Sequence, residues 1–137
     1  MNRSARAFAL IFVVGLFAFG CSSDDASVSG IATLDDAPLK AGTVTFHPVS
    51  GGPAAIGEID SDGRYKVNVG DGKRLPPGEY VVTVLSNEPP KIPANPATAP
   101  MPGKRITPEK YSDVAKSDLK VTVKTGSNSV DLKLVSK

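Results

Sequence analysis

Glu79-Tyr80-Val81-Val82-Thr83-Val84-Leu85 is the stretch that decides the fold: after the glutamate come six consecutive β-branched, aromatic or aliphatic residues, apolar on both faces. A short run of that kind is the pattern of a central strand. Upstream, past a loop from Gly70 to Gly78, Tyr65, Val67 and Val69 alternate with Arg64, Lys66 and Asn68. Asp60-Ser61-Asp62-Gly63 is the turn before that strand, and a weaker strand occupies residues 55–60. Beyond the break at Gly51-Gly52-Pro53, Val44 and Phe46 point to one face and Thr43, Thr45 and His47 to the other. Asp35-Asp36-Ala37-Pro38-Leu39 turns the chain, and Val28, Ala32 and Leu34 alternate with Ser29 and Thr33 in a first strand. Downstream, Leu119, Val121 and Val123 alternate with Lys120, Thr122 and Lys124. After a turn at Thr125-Gly126-Ser127-Asn128, a last strand sets Val130, Leu132 and Leu134 against Asp131 and Lys133.

Seven short strands with turn residues about every ten positions predict an all-β domain over residues 27–137. Each outer strand has one polar face, so its sheet buries one side and solvates the other. The arrangement that satisfies this is two antiparallel sheets packed about 10 Å apart, a seven-stranded β-sandwich. One segment breaks the pattern: residues 88–105 hold Pro89, Pro90, Pro93, Pro96, Pro100 and Pro102. Proline at that density removes ladder donors and favours extended, polyproline-like chain. The expectation is a mobile insertion, with a partner-binding loop as the alternative.

The front of the chain has a different grammar. Arg3 and Arg6 precede Ala7 to Phe19, AFALIFVVGLFAF, which contains no charge and is followed by Gly20-Cys21. A basic start, an apolar core of about 13 residues and a small residue before the cut predict a secretory signal over residues 1–20. The run is shorter than the roughly 20 apolar residues of a membrane-spanning helix. Without that segment, 14 Lys+Arg stand against 14 Asp+Glu, so the formal charge of +2 belongs to the leader. Neutral side chains in sum imply no nucleic-acid partner held by bulk charge. A single cysteine excludes a disulfide framework within the chain, and with one histidine it excludes a multi-ligand Cys/His zinc site.

Ala18-Phe19-Gly20-Cys21 resembles the lipobox of bacterial lipoproteins, with Ala18 where leucine is usual. The resemblance implies acylation of Cys21, cleavage before it, and a polar tether over residues 21–26. Several further motifs are similar to carboxypeptidase-regulatory-like domains: Val28-Ser29-Gly30, Leu34 to Leu39, Gly42 to Phe46, Asp60 to Tyr65, and Pro76-Pro77-Gly78-Glu79-Tyr80. The tail from Pro108 and Tyr111 to Leu132 is similar to small bacterial lipoproteins that carry this domain. The resemblance implies a transthyretin-like (prealbumin-like) Greek-key sandwich, and a non-catalytic, extracytoplasmic accessory module. It also places the chain at the outer membrane or periplasmic face rather than in the cytoplasm.

Other residue types are read as turn or core. Asp60, Asp62 and Asp71 begin like a calcium loop but supply no bidentate glutamate at its late position, so the expectation is a hairpin turn and no metal. His47 is the only imidazole, has no acid or nucleophile nearby in sequence, and sits on the solvent face. A Lys–Asn cross-link lacks a lysine on the first strand, Asn128 reads as turn, and Glu79 reads as part of a strand entry. Phe46, Tyr65, Tyr80 and Tyr111 fall at inward or turn-packing positions. No catalytic residue, cofactor or metal is therefore expected. The functional reading is a cell-envelope lipoprotein held to the membrane by acylated (palmitate-bearing) Cys21, its sandwich serving structure or binding. An envelope protein or a glycan is the partner to expect, and a glycan- or cell-wall-binding module is the alternative function. A transthyretin-like hydrolase ranks behind both, because the chain ends Lys133-Leu134-Val135-Ser136-Lys137.

Overall fold

The computed structural model describes residues 26–68 and 75–137. The proposed leader, Cys21, most of the tether, Val69 and Asp71 lie outside the described residues. The described chain is all-β. Its strands are β1 (Ala26–Leu34), β2 (Ala37–Pro38), β3 (Gly42–Pro48), β4 (Ala55–Ile59), β5 (Arg64–Val67), β6 (Gly78–Leu85), β7 (Lys120–Val123), β8 (Gly126–Ser129) and β9 (Leu132–Leu134). A single 3-10 turn, Glu109–Ser112, interrupts the run between β6 and β7. The order of neighbours is β2-β1-β5-β4-β3-β6-β7, a sheet that curls around its own apolar face.

All seven predicted strands are present, and β2 and β8 are additional. The expectation of purely antiparallel pairing needs correction, because β1 pairs in parallel with β8 and again with β9. The segment read as a turn at Gly126-Ser127-Asn128 is therefore strand, with Ala26 opposite Gly126 and Val28 opposite Asn128. Backbone pairing places it there, since its short polar side chains bury almost nothing. Between β8 and β9 the chain bulges against β1, and its Val130 carbonyl lies over Gly30. A Cβ at that position would collide with the carbonyl, so glycine is what admits the close approach. The Ile31 N–H donates to the Asp131 carboxylate at 3.1 Å just beyond it.

Period-two alternation translates directly into burial. Val44 and Phe46 of β3, Val82 and Val84 of β6, and Val28 of β1 are fully buried, as are Tyr65 and Val67 of β5. The partner positions agree: Val28 faces Val67, Phe46 faces Val82, and Val44 faces Val84. Aromatic packing organises the middle of this core. The Phe46 ring lies 6.3 Å from that of Tyr65 and 5.9 Å from that of Tyr80, the second pair edge-on, an arrangement aromatic quadrupoles favour. Each phenol tip is satisfied: Tyr65 Oη donates to the Val130 carbonyl (2.5 Å) and Tyr80 Oη to the Pro76 carbonyl (2.6 Å), while Tyr111 Oη accepts the Val135 N–H (3.1 Å).

Two ends of the molecule follow from the ladders. Ala26 pairs with Leu75, and the starts of β4 and β6 and the ends of β3 and β7 lie with it. At the opposite end lie Leu34, the Asp35–Asp36 hairpin, the starts of β3 and β5, and Leu85. β1 spans nine residues, so these near and far poles are roughly 26 Å apart. The proline-rich segment leaves from the far pole. The structure replaces the expected free insertion with a folded-back arm: Asn87 pairs with Arg105 and Lys91 with Met101. The N–H groups of Glu88, Lys91 and Met101 are enough to close it, since proline removes donors but leaves every carbonyl. Buried hydrogen bonds lock its root, where the Ser86 N–H donates to Thr107 Oγ1 (3.1 Å) and Ser86 Oγ to the Ala41 carbonyl (2.6 Å).

Candidate functional site

His47 lies on the outer face of β3, as its register predicts. Its Nε2 is 3.0 Å from Thr83 Oγ1, a hydroxyl that is itself buried at the middle of β6. This pair occupies a sheet surface, and the hydrogen-bond partner of the imidazole there is a threonine. Its diagonal neighbour across the β3–β6 ladder is what the sequence does not display.

Asp60 performs turn chemistry. Its Oδ1 accepts the N–H groups of Asp62 and Arg64, both at 2.9 Å, and its carbonyl accepts the Gly63 N–H at 3.0 Å. One of its two carboxylate oxygens is thereby engaged by backbone donors, as in an Asx turn. Among the described residues no group of three His, Cys, Asp or Glu side chains is arranged to hold a metal ion. Asn128 bridges the β7–β8 corner: its Oδ1 accepts the Lys124 N–H (2.9 Å), and its Nδ2 donates to the Lys124 carbonyl (2.6 Å) and to the Ser27 carbonyl (3.3 Å). It thus pins β8 against β1. Glu79 is exposed at the start of β6, opposite Thr122.

The aromatic residues lie inside. Phe46, Tyr65, Tyr80 and Tyr111 are each exposed by 3% or less, so the described surface offers no ring on which a sugar could stack.

The far pole is different in character. A groove of about 360 Å³ runs between the β1–β2 hairpin and the root of the proline-rich arm, walled by Leu34, Pro38, Leu39, Pro89 and Ile106, with Lys40 at its rim. Two acidic residues form the hairpin itself. Asp35 and Asp36 have φ of 49° and 67°, the type I′ geometry that a two-residue connection requires. Asp35 is tied to the end of the chain: hydrogen bonding from Ser136, through its side chain and its N–H (3.0 Å), holds the carboxyl below the usual range. Beyond the groove the arm exposes Ile92 (85%) and Met101 (63%), the highest values among the large apolar side chains. Sequence reading singled out the arm for its prolines and missed the groove. The signal was present in Leu39 and Ile106, apolar residues adjoining turn and arm.

A second depression of about 500 Å³ lies on the outer face over Gly57, between Ile56, Glu58, Lys66 and Asn68, and carries both signs of charge. Comparisons with family models, with curated proteins and with solved structures returned no match. Among the described residues no helix is long and apolar enough to cross a membrane.

Proposed function

We propose that this chain is an exported lipoprotein, anchored through an acylated Cys21, whose β-domain is a transthyretin-like Greek-key sandwich acting as a non-catalytic structural or binding module of the cell envelope. The observation that carries the reading is the join between leader and fold. The apolar run ends at Gly20-Cys21, and Ala26, five residues on, is buried and hydrogen-bonded to Leu75 in both directions (2.7 and 2.9 Å). Four residues, Ser22 to Asp25, separate the thiol from the sheet. A lipidated cysteine followed by a short polar tether and then a folded domain uses every part of this sequence. Each buried methylene of an acyl chain contributes about 0.8 kcal/mol, so two chains suffice for stable anchoring.

The sandwich reading is supported by the curled sheet with its aromatic core, and by turns at Asp35-Asp36 between β1 and β2 and at Asp60 to Gly63 between β4 and β5, with the Pro76 carbonyl accepting the Tyr80 hydroxyl before β6. Burial of all four aromatic rings leaves the glycan-binding alternative without a stacking platform on the described surface.

Mass spectrometry and fractionation of the native protein test the anchor. The expected mass is that of residues 21–137 plus acyl chains, with the protein in the membrane fraction. Cys21→Ser is expected to lose the added mass and to leave that fraction. An unacylated 21–137 mass, or the full-length mass, overturns the proposal.

A further inference from the structure

We infer that the far pole is a docking site for a partner protein, which lays an extended acidic segment along the proline-rich arm and seats one large apolar side chain in the adjoining groove. The orientation argument rests on the anchored reading above; the site itself rests on the groove and the arm's charge. The groove's volume of about 360 Å³ is at the small end of ligand-sized clefts. It is continuous with the arm, whose Ile92 and Met101 stand in solvent with no core to join. None of residues 88–105 is buried, so the arm adds nothing to the interior that would account for its eighteen residues.

Charge selects the partner. Between residues 88 and 105 the arm carries Lys91, Lys104 and Arg105 against Glu88 alone; at the groove Lys40 stands beside the hairpin's Asp35 and Asp36, of which Asp35 accepts the Ser136 N–H. The ion pairs among the described residues join Lys110 to Asp118 and Lys116 to Glu109 and Asp113. All lie outside the arm, whose side chains sum to +2 while the rest of residues 21–137 sums to −2. Net positive charge around exposed apolar side chains fits an acidic surface with apolar anchors.

An anionic membrane has the same charge, but position disfavours it. Chain leading to Cys21 leaves from Ala26 at the near pole, roughly 26 Å from the arm. On the anchored reading, a domain standing on its near pole holds the arm away from the membrane that carries the lipid. An envelope protein facing outward from that membrane is the occupant that this orientation favours.

Photocrosslinking of the full-length protein in its own cells tests the site, with a benzophenone amino acid replacing Ile92 and, as control, Ile56 on the outer sheet face. The expected result is a dominant protein adduct at 92 and not at 56, whose crosslinked peptide maps to an acidic stretch. Combining Lys91→Glu, Lys104→Glu and Arg105→Glu is expected to lower its yield at least tenfold, without shifting the thermal midpoint. Adducts to phospholipid, a crosslinked stretch that is not acidic, yields indifferent to the triple reversal, or no adduct above the control each overturn the inference. The Cys21 mass is read in the same cells. Acylated protein without the adduct removes the docking site and leaves the anchor, and an adduct formed by unacylated protein does the reverse.

Discussion

Tyr65 shows how a single side chain serves three needs of this fold. Its ring packs against Phe46, its hydroxyl ties the Val130 carbonyl where the chain lies over Gly30, and its position on β5 closes the ladder to β4 opposite Ile59. Burial, and secondarily the charge of Asp131, raise the phenol well above its ordinary value of 10. The neutral phenol is thus bound more firmly in the folded state than in the unfolded one. Its contribution is complete below about pH 10 and is lost as the pH rises from there toward the folded-state value. Denaturant unfolding at a series of alkaline pH values is expected to show stability falling above pH 10, with a slope approaching about 1.4 kcal/mol per pH unit from this one group. Tyr65→Phe removes that component of the slope, and costs about 1 kcal/mol at neutral pH through the lost hydrogen bond.

At the scale of the element, the hairpins show what the amino-acid pattern reveals. β1, β3, β4, β5, β7 and β9 were legible because each has a wet face and a dry face, and alternation records that difference; β6 was legible as an apolar run, buried at Val82, Thr83 and Val84 in succession. β2 and β8 were not, for a physical reason. Ala37–Pro38 is too short to have a period, and Gly126–Ser129 is placed by parallel hydrogen bonds to β1 rather than by burial. Pairing between the beginning and the end of a chain depends on the closed fold, so no local window contains it. The turn at Asp60 to Gly63 was legible and proves to be a packing element as well. Gly63 has φ of 79°, and a Cβ there would stand 2.8 Å from the Pro38 side chain. The β4–β5 turn therefore rests directly on the β1–β2 hairpin. Gly63→Ala is expected to destabilise the domain by more than about 1 kcal/mol, through the left-handed backbone and that contact together. Chemical denaturation measures it, and an unchanged midpoint would show that the two hairpins are not pressed together.

For the whole molecule, the division of labour runs between core and arm. The core closes without residues 88–105: Ser86 and Thr107 meet beneath the arm, and the Ile106 and Thr107 N–H groups both reach the Ser86 carbonyl (2.8 and 3.4 Å). Asn87 and Arg105 already pair across the gap, so a two-residue Asn-Gly connection can replace the segment between them. That deletion is expected to leave the thermal midpoint within a few degrees of the parent, because it removes no buried side chain and shortens a loop. A collapse of the midpoint would mean that the arm holds the far pole together. The proline content announced the arm, but its antiparallel closure was hidden, because it depends on the few N–H groups that the prolines spare. Candidate sites were legible to the extent that they were turns; the groove was not, since two segments about fifty residues apart in sequence build it.

The parallel pairing of β1 with β8 and β9 has a mechanical consequence. Tension applied between Ala26 at one pole and Leu134 at the other pulls neighbouring strands past each other lengthwise, because they run in the same direction. The cross-links of both ladders then bear the load in shear, several at once, instead of opening one by one like a zip. A tethered domain tugged from its outer end would yield late and abruptly.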